Sequence, residues 1–509
     1  MSTADSAQSF TISDAVRTHA LRTPDAVAIV CEATRSTWTQ LDNRVNVLAA
    51  ALRSDGVGVG ERILWWGQNC HRLLELLCAA SRLGATVCPV NWRQSTRELG
   101  FVIDDCTPRV VVWQDREIGS TIRDFMTPER SDIVWIQHDG SGDGSYEHYL
   151  GSCEQPEFSP TEEHEDLPVL MMYTAAFSGT PNGALLSGRA LMSQSMTIRL
   201  LEQLDDSTTY LNSGPMFHIG SLRRTLAVLH AGGRNVMCRR VDAETLCELI
   251  AAERCTDAFL QKPTMSQMVD VNRDGRYDLS SLRSRGGPEG WADMVTFSER
   301  DVVRSSYGQT ELAGVVTFDY PGRPGVGSWP GPLALVDVRT VDGTTVARGQ
   351  IGEIVVRGPM VMNGYYRRDT INTNRIRDGW YHTNDLGRLE SDGSISFVGP
   401  SERIVKTANE NVYPIEVENG LREHPDVADV GVLGIPDQEW GQRLKAVVVR
   451  REGSSVSADA LLAFARTTLA GYKCPRLYEF VDALPTASGH VDRDALDVRY
   501  GGGGYPGTS

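Results

Sequence analysis

Four short segments of this 509-residue chain concentrate side chains able to do chemistry. Tyr173-Thr-Ala-Ala-Phe-Ser-Gly-Thr-Pro-Asn-Gly183 mixes glycines with hydroxyls, and Tyr307-Gly-Gln-Thr-Glu311 groups an aromatic ring, a hydroxyl and a carboxylate. Trp380-Tyr-His-Thr-Asn-Asp385 ends on a carboxylate, and Glu410-Asn-Val-Tyr-Pro-Ile-Glu-Val-Glu418 carries more of them. The carboxylate oxygen of Glu311 is a hard donor, suited to a hard cation. That of Asp385 can accept two O–H donors at once. Taken singly, each motif also has an ordinary structural reading. Thr310 beside Glu311 would start a helix, Asp385 would be a solvated turn residue, and His218 after Phe217 would be a satisfied core imidazole. The ten cysteines show no C-x-x-C pair and no nearby Cys/His ligand spacing, which reads as reduced structural thiols.

In this order and spread over most of the chain, the four segments resemble the adenylate-forming superfamily of acyl-CoA synthetases, nonribosomal-peptide adenylation domains and luciferases. Leu41 to Gly60 and the Glu-Asn-Val-Tyr-Pro stretch are most similar to the acyl-CoA synthetases. The resemblance implies a large N-terminal domain, a small mobile C-terminal domain, and two half-reactions. A carboxylate and ATP give an acyl-adenylate and pyrophosphate, and the CoA thiol then displaces AMP. The first step brings like charges together, so it needs Mg²⁺, cationic side chains and backbone N–H groups.

The same resemblance implies roles for individual residues. Tyr307 packs on adenine, Thr310 reaches phosphate, Glu311 holds Mg²⁺ and Asp385 binds both ribose hydroxyls, with Gly308 and Gln309 in the same nucleotide segment. Thr174, Ser178, Gly179, Thr180 and Gly183 belong to the phosphate loop, and Gly287 to an adenine-side loop, Gly286-Gly287-Pro288. His218 borders the carboxylate pocket. The pocket candidates His218, Ile219, Gly220, Gly287, Gly308 and Leu312 are uncharged, which favours a hydrophobic acyl group over an amino acid.

Departures from the family pattern fall at positions that would carry charge. The phosphate loop reads Ala175, Ala176, Phe177 and Ser178, with Asn182 in place of a lysine. Pro400 replaces an arginine, and Ala408-Asn409 replace two glycines near the CoA channel. His490, in Ser488-Gly489-His490, stands at the catalytic lysine. A neutral imidazole has neither the reach nor the full charge of an ammonium. Losing such a contact costs about 3–4 kcal/mol, or about 10² to 10³ in rate. Arg403, Lys406 and Lys473 are the cations able to substitute. The expectation is an enzyme better at thioester formation than at adenylation, supplied with acyl-adenylate by a separate adenylating enzyme. Two alternatives stand beside it: adenylation with a non-CoA acceptor (amine, carrier protein or small nucleophile), and a non-catalytic adenylate-binding pseudoenzyme.

The elements that must position these residues follow from periodicity. Leu41, Val45, Leu48 and Leu52 recur at helical spacing after a Thr39/Asp42 capping box, with Gly56 beyond the end. Ile63–Trp66 and Arg109–Trp113 read as buried strands, and Leu73–Leu83 as a helix. This alternation predicts an α/β class with layered sheets and helices. After Gly331, short strands at 336–339 and 352–358 and an Asp392-Gly393 hairpin mark a β-rich subdomain. The expected organisation is an N-terminal adenylate-binding and acyl-substrate domain at 1–400, its β-rich part at about 325–400, a mobile α+β domain at 401–497 and a flexible tail at 498–509. Composition agrees with an enzyme rather than a binder of polyanions. Hydrophobic residues make up 41% and charged residues 23%, and the net charge of −16 disfavours nucleic acid and anionic lipid. MSTADSAQSF lacks a secretory pattern, and Glu75 and Arg82 interrupt the apolar stretch from Leu73 to Val90, so a cytoplasmic protein with no membrane span is expected.

Overall fold

The computed structural model describes residues 9–151, 165–174, 180–284, 286–297, 303–340, 343–400, 403–407, 410–487 and 490–505, with backbone alone at 487 and 490. Two sheets share a layer of helices in the N-terminal domain. One sheet has seven strands in the order Gly364–Tyr365, Asn182–Ser187, Pro168–Thr174, Thr86–Pro89, Arg62–Trp66, Val110–Trp113 and Val134–Gln137. It is parallel from Pro168–Thr174 to Val134–Gln137 and antiparallel where Asn182–Ser187 folds back. The other runs Asp257–Ala258, Thr209–Asn212, Arg234–Met237, Val27–Cys31 and Thr34–Thr37, with only the last pair antiparallel.

Strands buried on both faces read as unbroken apolar runs, and Arg62–Trp66 shows why. Ile63 and Trp65 enter the core between the sheets, while Leu64 and Trp66 pack outward against Leu99, Ile103 and Phe125. The helix His71–Leu83 lies in the shared layer, with every residue except Arg72 buried. Its two interrupting charges are answered inside the protein. Glu75 accepts from Arg44 at 2.7 Å and from the Tyr146 hydroxyl at 2.9 Å, and Arg82 donates to Asp42 at 2.7 Å. No helix among the described residues is long and apolar enough to cross a membrane.

The helix expected from Thr39 begins instead at Trp38, capped by Thr37 with Gln40 closing the box. Two boxes overlap in the sequence; Asp42 is committed to Arg17 and Arg82, so it does not cap. The expected strands near 336–339 and 352–358 form Leu335–Arg339 and Ile351–Arg357, which share a sheet with Trp380–Leu389, Ile376–Arg377 and Ile395–Pro400.

The smaller C-terminal domain is built on a sheet of Glu410–Val412, Val405–Thr407, Gly441–Arg450, Val427–Asp437 and Leu477–Val481. Helices Pro414–Arg422 and Ala458–Thr468 cover it around Val417, Leu421, Leu461 and Ala465. The glycine run expected to be a flexible tail is docked through residue 505. Helix Arg493–Tyr500 leads into it, Gly503 N–H donates to the Gly434 carbonyl, and the buried Tyr505 hydroxyl joins Gly434 N–H to Asp497. A single buried aromatic with two hydrogen bonds outweighs the backbone freedom of the glycines around it.

Candidate active site

One cavity of about 490 Å³ lies between the N-terminal domain and the C-terminal domain. Thr174, His218, Tyr307, Gly308, Gln309, Thr310, Glu311, Asp385 and Lys406 all line it. Tyr307 and Gln309 belong to the strand Arg304–Gln309, which turns through Thr310–Leu312 into Gly314–Asp319. Gly308 is required there, because a Cβ would fall 2.1 Å from the Gly314 carbonyl oxygen. Asp385 is aimed by Asn384, whose φ of +61° kinks the strand Trp380–Leu389.

Around Asp385 the polar groups interlock. Its Oδ2 accepts from the Tyr307 hydroxyl at 2.8 Å and from Gln309 Nε2 at 2.5 Å, and Gln309 Oε1 in turn accepts from Tyr381 at 3.0 Å. Burial pushes the Asp385 carboxyl up to about 6, against the two hydrogen bonds that stabilise its anion. The Tyr307 ring stacks on Phe397, centroids 5.4 Å apart. Glu311 is buried, and its Oε1 accepts from the Tyr365 hydroxyl at 2.7 Å. It thus offers an oriented hard oxygen donor at the wall, which fits Mg²⁺.

The other end of the cavity is closed by the C-terminal domain. His218, the residue before helix Ile219–Ala231, lies 3.2 Å through Nε2 from Glu410 and packs on Phe217. Burial would raise the Glu410 carboxyl, but the His218 hydrogen bond holds it below its ordinary value. Lys473 Nζ donates to Glu98 at 2.6 Å and to Glu416 at 2.7 Å, and Arg97 pairs with Glu423. The helix Thr96–Cys106 is therefore the docking face for this domain.

Several sequence expectations are relocated. Arg403 does not face the cavity: Asp494, Asp497 and the Arg493 carbonyl hold its guanidinium within the C-terminal domain. Gly183 packs under Met171, Gly287 lies against Trp291, and Thr180 is exposed; none of the three lines the cavity. Ser178 and Gly179 lie outside the described residues, as do Ala408 and Asn409, and the same holds for the His490 side chain. Asn182 differs most from expectation. It is completely buried, and its Oδ1 accepts from Arg368 Nε at 3.2 Å. Arg368 also donates to Asp105 at 2.7 Å, so this position is part of a structural network rather than a phosphate cradle.

Sequence reasoning missed Arg375, Tyr365 and Tyr381. Arg375 is buried in the cavity wall, donates to the His382 carbonyl at 3.2 Å and draws the Asp385 carboxyl downward. Arg375 and Arg377 alternate in Asn374-Arg375-Ile376-Arg377, and nothing in that spacing says which one turns inward.

Residues 16–366 match the AMP-binding enzyme family, and residues 416–489 match the AMP-binding enzyme C-terminal domain. A feruloyl-CoA synthase from Amycolatopsis sp is 34% identical, covering 94% of this chain and 96% of its own. An indoleacetate–CoA ligase from Aromatoleum aromaticum is 32% identical, covering 96% and 97%. Among solved structures, an amide bond synthetase from Marinactinospora thermotolerans superposes with a TM-score of 0.81 at 24% identity, covering 96% and 100%. An o-succinylbenzoate CoA synthetase from Bacillus subtilis gives 0.79 at 23%, covering 95% and 98%. These two likenesses show the fold.

Proposed function

The chain belongs to the family of AMP-binding enzymes, and from that premise we propose that it is an acyl-CoA synthetase, joining a hydrophobic carboxylic acid to CoA through an acyl-adenylate. The observation that carries this reading is the convergence of Tyr307, Thr310, Glu311 and Asp385 with His218 and Glu410 on one cavity. Relatives named for feruloyl-CoA and indoleacetate make a ring-bearing acid the first class to test.

The chemistry follows from the wall. Asp385 accepts ribose hydroxyls while Tyr307 and Gln309 hold it in place. Tyr307 and Phe397 give the adenine an aromatic border. Glu311, fixed by Tyr365, would hold Mg²⁺, which when bound offsets phosphate charge as the acid attacks the α-phosphorus. Thr310, Lys406 and Arg375 add a hydroxyl and two cations to the same wall. In the second half-reaction the thiol attacks the acyl carbonyl and AMP leaves, so the nucleotide contacts alone must hold the substrate. The C-terminal domain is proposed to move between the two steps, with the Lys473 and Arg97 pairs as the contacts that release. Purified protein with ATP, Mg²⁺, CoA and a panel of aromatic and aliphatic acids should form acyl-CoA. No thioester from any acid, even with synthetic acyl-adenylate supplied, would overturn the reading.

A finer reading makes adenylation the slower half-reaction, with acyl-adenylate supplied by a separate enzyme. It is supported by His490 at the catalytic lysine position and by the commitment of Lys473 and Arg403 to carboxylates. The burial of Asn182 removes that residue from the support. Pyrophosphate release and thioester formation from supplied acyl-adenylate, measured separately, test it. Pyrophosphate release as fast as thioester formation refutes it.

A further inference from the structure

Away from the nucleotide cavity, chain segments distant in sequence bring three thiol and imidazole groups together. Cys31 ends the strand Val27–Cys31 of the five-stranded sheet, and Cys70 and His71 open the central helix. His138 follows Val134–Gln137, the edge strand of the seven-stranded sheet. All four are buried. The ligand atoms of Cys31, Cys70 and His71 lie within 4.8 Å of one another. Cys70 Sγ is 3.6 Å from His71 Nδ1. A tetrahedral ion with a metal–sulfur bond of about 2.3 Å and a metal–nitrogen bond of about 2.0–2.1 Å sets that edge at about 3.6 Å.

His138 supplies the independent observation. Neither of its ring nitrogens has a hydrogen-bond partner, although both are shielded from solvent. A buried imidazole with both nitrogens unanswered is rare in a folded protein. Its ring stacks on Trp65, 4.5 Å between centroids. Arg72 Nη1 lies 3.6 Å from the Cys70 sulfur.

We propose that Cys31, Cys70 and His71 bind a zinc-class divalent cation, with the unanswered His138 turning in as the fourth donor, so that the ion staples the two sheets of the N-terminal domain. Two thiolates and two imidazoles are the donor set such an ion prefers, and the two thiolates neutralise it, so the interior gains no net charge. A Cys31–Cys70 disulfide would leave His138 unanswered, which is why the metal is the better occupant. The staple also bears on the active site. Asn69, next to Cys70, donates to the Gly214 carbonyl at 2.7 Å and accepts from Met216 N–H at 3.0 Å, fixing the turn that carries Phe217 and His218.

Metal analysis of the full chain, produced with zinc in the medium and desalted, should find one zinc per chain. A strong chelator should lower the melting temperature, and zinc alone should restore it. Cys31→Ser and Cys70→Ser should each lose the metal. Should those variants fail to fold, the unmodified protein exchanged with cobalt(II) gives the same answer, through the visible bands of a tetrahedral cobalt thiolate. A metal-free chain whose melting ignores chelator and zinc would overturn the proposal. So would zinc retained in Cys70→Ser, or a Cys31–Cys70 disulfide found under non-reducing conditions.

Discussion

Asp385→Asn separates binding from stability, because the two should move in opposite directions. The Asp385 carboxyl sits at about 6 instead of the ordinary 3.8, so the folded state prefers the proton. The sign follows: burying the anion is a penalty present above about pH 6, shrinking as pH falls toward 4 and absent below. The span from 3.8 to about 6 corresponds to about 3 kcal/mol at about 1.4 kcal/mol per unit. An asparagine removes the charge, and its one oxygen can still accept from both Tyr307 and Gln309, which meet a single carboxylate oxygen in the unmodified protein. Those bonds weaken on a neutral acceptor, by about 1 kcal/mol together, which leaves a net stabilisation of about 2 kcal/mol at pH 8. Nucleotide binding should fall, since ribose hydroxyls lose a charged acceptor. A loss of about 2–3 kcal/mol weakens AMP affinity about 30- to 150-fold. Thermal melts of the free protein at pH 8 and pH 5, with calorimetric AMP titrations, read both effects. The variant should melt higher than the unmodified protein at pH 8, by a margin that narrows at pH 5, while binding AMP poorly. Unchanged AMP affinity, or a lower melting temperature at pH 8, would refute the placement of this carboxylate.

Three further outcomes follow from the same geometry. Glu311→Gln keeps the Tyr365 contact but loses the metal-binding charge, so pyrophosphate release should drop about 10²- to 10³-fold with AMP affinity nearly unchanged; equal losses in both would contradict it. Asn182→Lys would bury an ammonium beside the Arg368 guanidinium, so it should lower the melting temperature and add no adenylation rate. Lys473→Met leaves Glu98 and Glu416 without their shared cation, and should weaken docking of the C-terminal domain by about 3 kcal/mol. Faster proteolysis between the domains, near residue 400, checks that last outcome, and an unchanged cleavage rate counts against it.

What the sequence determined by itself is whatever lies within a short window of chain. Val110–Val112 and Ile63–Trp66 are apolar enough to be buried strands wherever they fall, and Pro414–Arg422 starts with a proline and forms the helix its pattern requires. Tyr307 to Glu311 and Asp385 were legible because these cavity-lining residues lie in compact motifs. What only the tertiary structure decided are pairings across long stretches of chain. Tyr307 meets Asp385 across 78 residues, His218 meets Glu410 across 192, and Lys473 meets Glu98 across 375. Residue type gives no hint of such partners. Asn182 occupies a lysine position yet is buried on Arg368, and Arg403, a cation expected to substitute in the site, is held by Asp494 and Asp497. Cys31 and Cys70 have no ligand spacing in the chain, and they meet because a strand of one sheet ends where the central helix begins. Local propensity is set by a residue and its neighbours. The charge and donor balance at a site is set by which distant elements the packed core brings into contact.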